Sequence, residues 1–246
     1  MIDLHCHILP GLDDGAADIR DSLGMARQAE TNGVTQVCAT PHIRHDHDVV
    51  IGELADRVAA LNLALGQAGC RTKIRTGGEV AESIVSALDD DELRAVSLGG
   101  GGRWILLEPA PGPLSDGLDN TVRQLTDRGF RSLIAHPERH LGADLLDRLG
   151  KLTRAGSLVQ VTAAALSDPE TAGGMAILAR AGVLHVLASD SHSSRFGRPV
   201  AITLGLERLW EFPLLAPHVD WIAWRAPEAI TSGQDTEAPY SPRVEG

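Results

Sequence analysis

Three features of this sequence predict an α/β fold built on a parallel sheet, closed or open. Seven short β-rich runs alternate with helical patterns. Six of those seven runs end in a histidine, aspartate or glutamate. The composition is 43% hydrophobic but only 3% aromatic, which allows a sizeable core of Leu, Val, Ile and Ala. A chain of 246 residues suits one barrel-type domain. No repeat or linker marks a boundary, so residues 1–232 are expected to form one domain and the polar, proline-containing residues 233–246 a loose tail.

The strand candidates are IDLHCH at 2–7, VTQVCAT at 34–40, KIRTGGEV at 73–80, RWILLEP at 103–109, RSLIAHP at 131–137, SLVQVTA at 157–163 and VLHVLASD at 183–190. After the first strand, Asp18 is a suitable N-cap for a helix with Ile19, Leu23 and Ala26 on one face, ending near Gly33. Ile51, Leu54, Val58, Leu61 and Leu65 recur at helical spacing. Leu145, Leu149 and Leu152 repeat that pattern up to Gly156. Pro169 opens the next helix in its first turn, where proline is tolerated, and a last helix follows Pro227.

A formal net charge of -11 argues against a general nucleic-acid or membrane-surface binder. It leaves room for an anionic small substrate, because local cations can invert the field inside a cleft. No apolar run is long enough to span a bilayer, and no basic-then-apolar leader is visible. Cys6, Cys38 and Cys70 are widely spaced and odd in number, which fits reduced thiols and a cytoplasmic location.

The chemistry-bearing residues sit at the strand ends. His5 and His7 end the first strand, His42 follows the second, and Glu79, Glu108 and His136 end the third, fourth and fifth. Asp190 and His192 end the seventh. In a parallel barrel those ends share one face, where active sites form. Residues two apart on a strand point the same way, so His5 with His7, and Asp190 with His192 if extension persists, project as pairs. Cys6 then points to the opposite side. Imidazole and carboxylate groups suit Zn, Mn or Fe(II), and a carboxylate between two ions can bridge them.

Other polar residues have plainer readings. His185 lies in an apolar strand and reads as a packed core histidine. His45 and His47 fall in a polar loop, and Glu53 and Asp56 on the wet face of a helix. Gly99 to Gly102 lack the Lys-Ser/Thr of a phosphate loop and read as a flexible turn. Cys38 and Arg44 fit C-x5-R, the pattern of cysteine-based tyrosine phosphatases. That loop needs backbone donors around an oxyanion, whereas Pro41 removes one and no glycine intervenes. The cysteine-based reading is therefore a minor alternative.

In this order and spacing, DLHCHILPGLDDGA, ATPH, GGE, LLEP, AHPER and ASDSH resemble the polymerase-and-histidinol-phosphatase (PHP) superfamily of metal hydrolases. More narrowly, HxHxLPGxDDG followed by a DSLxMA-type helix is similar to the bacterial metal-dependent protein-tyrosine phosphatases of capsular and exopolysaccharide operons. The likeness runs from residue 1 to about 232, where RAPEAITSG is similar to that family's closing helix. It implies a distorted (β/α)7 barrel holding three divalent ions, usually manganese, with Fe, Zn or Mg as alternatives.

By motif, the implied ligands are His5, His7, Asp14, His42, Glu79, Glu108, His136, Asp190 and His192, with Glu79 bridging and Asp13 the alternative to Asp14. Asp14 and His42 also count among the implied catalytic groups, with Arg139 and Arg198 matching phosphate-holding arginines. The stretch SHSSRFGRP departs from the family pattern and makes Arg195 a rival to Arg198; IRHDHD lacks the glycine usual after ATPH. The implied reaction is metal-assisted hydrolysis of phosphotyrosine, on an autophosphorylating bacterial tyrosine kinase that controls polysaccharide export. Histidinol phosphate or another small phosphomonoester is the alternative substrate. A nucleic-acid phosphoesterase is disfavoured by the acidic charge, and a regulatory metal module without turnover by the arginines.

Overall fold

The structure, a computed structural model, describes residues 1–140 and 142–243. Strands and helices alternate: β1 (Ile2–Cys6), α1 (Ile19–Thr31), β2 (Gln36–Ala39), β3 (His42–Ile43), α2 (Leu54–Gln67), β4 (Lys73–Arg75), β5 (Glu79–Ala81), α3 (Asp90–Ala95) and β6 (Trp104–Glu108). There follow α4 (Asp116–Asp127), β7 (Arg131–Ile134), α5 (Leu145–Arg154), β8 (Leu158–Thr162), α6 (Ala172–Ala181), β9 (Val186–Ala188), α7 (Ile202–Leu209) and α8 (Ala226–Thr231). Every pairing is parallel, in the orders β1-β2-β4 and β3-β5-β6-β7-β8-β9.

Two strands are interrupted. β2 and β3 are one strand broken around Pro41, which has no N–H for the ladder. β4 and β5 are one strand broken at Gly77 and Gly78. Each half pairs with the same neighbour, so nine segments fill seven positions of a curled sheet. A parallel bridge between Cys6 and Ser191 joins its two ends, with His7 N–H donating to Ser191 O and Asp190 N–H to His5 O. The expected distorted (β/α)7 arrangement is the one observed.

Side-chain alternation divides the core into layers. Val37, Ile74, Ile105, Leu107, Ile134, Val159 and Leu187 face outward and pack with the helices. Leu4, Cys38, Trp104, Leu106, Leu133, Leu158 and Val186 face inward and meet Ala226 and Ile230 of α8. That inner cluster fills one end of the interior. The other end, at the C-terminal tips of the strands, is left to polar groups.

Several local expectations need correction. Ile19 is 40% exposed, and the buried face of α1 carries Asp21 and Ser22 beside Met25, Ala26 and Ala29. Pro169 lies in the turn leading into α6 rather than in the helix itself. Helices α3, α4 and α7 were not anticipated, although Leu118, Val122 and Leu125 of α4 carry a helical repeat. Gly99 to Gly102 form a packed turn: Gly99 has φ +68°, and a Cβ there would stand 2.6 Å from Thr231 Cβ.

The tail is not loose over residues 233–243. Asp235 pairs with Arg103 (2.7 Å) and Arg131 (3.3 Å), Trp104 Nε1 donates to Gln234 O, and Tyr240 Oη donates to Leu184 O. The physical reason is that apolar cover for the barrel floor comes from Tyr240, which is 8% exposed. Residues 244–246 of the expected tail lie outside the described residues.

His185 is the packed core histidine expected. Its ring stacks on Tyr240 with centroids 5.8 Å apart, and its Nδ1 accepts the Val159 N–H at 3.1 Å. Burial lowers its pKa from 6.5 to about 3. A ring held neutral in the fold but free to protonate when unfolded supplies stability above pH 6.5 that is lost as pH falls towards 3. His185→Gln, which keeps an acceptor, should therefore flatten the acid side of the stability profile by up to roughly 4 kcal/mol. Urea unfolding of both proteins at pH 8 and pH 4 measures it; equal acid losses in the two would contradict this account.

Candidate metal centre

A β-bulge aims the first two histidines. Ile2 and Asp3 pair with Gln36 and Val37, but Cys6 pairs with Ala39, so β1 spends one residue more than β2. The extra residue resets the alternation. Leu4 belongs to the inner apolar cluster, yet His5 beside it also reaches the interior, and His7 follows it. Asp3 secures the bulge, its Oδ1 accepting the N–H groups of His5 (3.3 Å) and Ser189 (3.0 Å). Cys6 joins the outer layer, with Sγ 3.7 Å from Ser191 O.

Around these histidines the strand ends deliver the rest. Glu79 Oε2 lies 3.0 Å from His42 Nδ1 and 3.3 Å from Nε2 of both His5 and His7. Its Oε1 is 2.7 Å from His136 Nε2. Asp190 Oδ1 is 3.4 Å from His5 Nε2 and 3.6 Å from His192 Nδ1. Asp14 Oδ1 is 3.4 Å from His42 Nε2 and 3.5 Å from His192 Nε2. Glu108 completes the outer side, 3.9 Å from His42 Nδ1.

These contacts form four overlapping groups whose ligand atoms lie within 4.8 Å of one another: His7-Asp14-His42-His192, His5-His136-Asp190, His5-His7-Glu79 and His42-Glu79-Glu108. All nine metal candidates named from the sequence are thus brought together.

The cluster fits cations. Glu79 Oε2, Asp190 Oδ1, His42 Nδ1 and His136 Nδ1 are buried without an aligned hydrogen-bond partner. Buried polar atoms are costly when unpaired, so lone pairs converging this closely call for a shared positive centre. The field agrees. Burial opposes charge on His7, yet Asp13 and Glu79 raise its pKa to about 10. Burial likewise opposes ionisation of Asp190, but His5, Arg139 and neighbouring cationic groups lower it to about 2. His192 moves the other way, to about 4, through burial and the His7 charge, which keeps its ring neutral as a ligand must be.

The adjacent aspartates have different positions. Asp13 Oδ2 accepts from His7 Nδ1 (2.7 Å) and from the His42 N–H (3.0 Å), and it belongs to none of the four groups. It sets the His7 tautomer so that Nε2 faces the cluster. Asp14, with its side chain 60% exposed, is the one grouped with His7, His42 and His192. Gly15 permits the turn, since a Cβ there would stand 2.2 Å from His7 O.

A cleft of about 410 Å³ opens onto the cluster, with Arg139, Arg198 and Arg44 among its walls. Arg139 Nη2 and Arg198 Nη2 both donate to Asp190 Oδ2, the latter at 3.0 Å, and Arg198 Nε donates to Asp190 O at 3.0 Å. Arg195 turns away to pair with Asp18 at 3.3 Å. Arg44 was not singled out for this cleft, although it stands two residues after His42 and its Nη1 reaches Glu108 Oε1 at 3.5 Å.

Three further expectations change here. Asp190 has φ +48°, so extension does not persist and the Asp190–His192 pairing arises from a left-handed turn. His47 is half-buried and stacked on His42 with centroids 5.1 Å apart, not free in solvent. Cys38 is fully buried in the inner apolar cluster, where burial pushes its thiol up to about 12. A thiol held protonated beneath the cleft cannot serve as a nucleophile, so the cysteine-based reading with Cys38 and Arg44 is discarded.

Residues 1–204 match the family model for capsular polysaccharide synthesis, CpsB/CapC. The tyrosine-protein phosphatase YwqE of Bacillus subtilis is 29% identical over 213 residues, covering 78% of each chain. The putative tyrosine-protein phosphatase CapC of Staphylococcus aureus is 27% identical over 209 residues, covering 78% of this chain and 77% of CapC.

Among solved structures, one from the work on YwqE and Streptococcus pneumoniae CpsB, described as unique metal-dependent tyrosine phosphatases, superposes with a TM-score of 0.82 at 25% identity over 100% of both chains. Lactococcus lactis histidinol phosphate phosphatase shares the fold, with a TM-score of 0.53 at 13% identity over 90% of this chain and 94% of that one.

Proposed function

This chain belongs to the CpsB/CapC family of capsular polysaccharide synthesis, and we propose that it is a metal-dependent tyrosine-protein phosphatase. The observation that carries the reading is a cluster of imidazoles and carboxylates with two cleft arginines beside it, in a chain similar along its length to metal-dependent tyrosine phosphatases. The proposed ligands are His5, His7, Asp14, His42, Glu79, Glu108, His136, Asp190 and His192, with Glu79 bridging and three divalent ions, manganese by preference. The proposed substrate is phosphotyrosine on a bacterial tyrosine kinase of the polysaccharide machinery, in the cytoplasm. Among the described residues no helix is long and apolar enough to cross a membrane.

Bound divalent ions supply Lewis acidity, lowering the pKa of a water and offsetting phosphoryl charge. The chain's own groups do the rest. Arg139 and Arg198, pre-aligned on Asp190, would turn their guanidinium forks to the phosphate oxygens and hold the ester for in-line displacement. Asp13 keeps His7 Nδ1 protonated, so the ring presents a fixed lone pair. Asp14 is the exposed member of the cluster, beside which the tyrosine side of the ester would lie. Phenolate is a fairly good leaving group and needs little acid assistance.

Phosphotyrosine-peptide and histidinol-phosphate assays with and without a chelator test this reading. Chelation should remove activity and Cys38→Ser should spare it. Activity that survives chelation would reject metal dependence, and a large preference for histidinol phosphate would reject the substrate.

A further inference from the structure

Helix α1 buries an aspartate that the metal centre does not use. Asp21, in the DSLGMA stretch, is only 2% exposed although it lies in the first turn. Its carboxylate accepts from Ser193 Oγ (2.9 Å), Ser194 N–H (2.8 Å) and Ser194 Oγ (2.6 Å). Gln28, further along the helix, donates from Nε2 to Ser194 O (2.9 Å) and accepts the Val200 N–H at Oε1 (3.2 Å). Between them Gly24 leaves room for the segment, since a Cβ there would stand 2.4 Å from Ser194 Oγ. Positions 21, 24 and 28 share one face of a 3.6-residue helix and form a polar seat for residues 193–200.

That segment follows His192 and carries Arg198. Beyond the seat, Ser191 Oγ donates to Arg198 O (2.7 Å), and the Arg198 guanidinium is aligned on Asp190 at the cleft. Two of the groups that Asp21 accepts are backbone N–H donors on different oxygens, Ser194 on Oδ1 (2.8 Å) and Ala17 on Oδ2 (3.4 Å). An ionised carboxylate accepts both, whereas an amide in either orientation would set its NH₂ against one of these N–H groups. The requirement is thus for the acid itself, which packing alone would not impose.

We propose that Asp21 is a positioning residue for phosphate recognition: through Ser193 and Ser194 it fixes the 193–200 segment so that Arg198 faces the metal cleft. The proposal rests on the reading above that Arg198 holds the phosphate. Its test is calorimetric binding of inorganic phosphate to the metal-loaded protein, alongside steady-state kinetics, metal analysis and melting temperature.

Asp21→Asn should weaken phosphate binding and raise KM by about tenfold, with a smaller change in kcat, because a displaced clamp loses contact geometry. Metal content should stay at the wild-type level. In an Arg198→Ala background Asp21→Asn should add nothing further, the coupling expected of residues acting in series. If Asp21→Asn fails to fold, Ser194→Ala carries the same test, with a shift of about threefold for one hydrogen bond.

Wild-type phosphate affinity in a folded Asp21→Asn, or independent multiplication of the two single effects, overturns the proposal. Undiminished phosphate binding in Arg198→Ala alone overturns the role of Arg198, and the proposal with it. A wild-type enzyme that binds phosphate but spares phosphotyrosine would instead reject the substrate reading.

Discussion

Replacing Glu79 by glutamine should strip the protein of bound metal and lower kcat/KM on a phosphotyrosine peptide by roughly 10³-fold or more. Glu79 is 1% exposed and its two oxygens touch the rings of His5, His7, His42 and His136. Burial opposes its ionisation, yet the His5 charge and the hydrogen bonds of His136 and His42 hold its carboxyl well below the usual range. Glutamine keeps the shape but removes the charge, and its NH₂ would point hydrogens at imidazole lone pairs. Elemental analysis and single-substrate kinetics give the result. A Glu79→Gln protein with full metal content and more than a tenth of the activity would show that Glu79 is not shared between ions.

The second large effect is expected from the arginine pair. Arg139→Ala combined with Arg198→Ala should cost roughly 10²–10³-fold in kcat/KM while metal content is retained. Both guanidinium groups rest on Asp190 Oδ2, and their side chains stay 42% and 37% exposed at the cleft. Exposure at the mouth and a shared buried anchor suit groups that leave one carboxylate for an incoming phosphate. Lysine at either position should recover only part of the loss, since a point charge cannot reproduce the planar fork. Loss of metal in the double alanine variant would place the arginines in the structural support of the cluster instead.

Much of the site was legible because its residues interrupt apolar strands at one end. Glu108 in WILLE and His136 after RSLI stand out against neighbours that belong to the core. The motifs added Asp14, which no periodicity marks. The Asp13–Asp14 choice was not legible, because Asp13 is distinguished only by bonds to His7 and to the backbone of His42, 29 positions away. The same holds for Arg195 and Arg198: both are arginines on one loop, and only the assembled fold aligns Arg198 on Asp190 and Arg195 on Asp18. Cys38 was misleading for a related reason, since C-x5-R describes spacing and says nothing of depth: Cys38 faces the interior but sits in the apolar cluster beneath the cleft.

The parallel α/β architecture and the chemical class of its rim were already legible in the order of residues. Apolar alternation is a local property, and a histidine or carboxylate at a strand end is visible wherever it stands. Orientation came only with the assembled fold. The bulge at Leu4–His5, the left-handed turn at Asp190, the burial of Asp21 and the packed tail each depend on a backbone that approaches from far along the chain. A buried polar group is stable only where a distant partner meets it, and burial and partners of that kind are settled when the sheet closes.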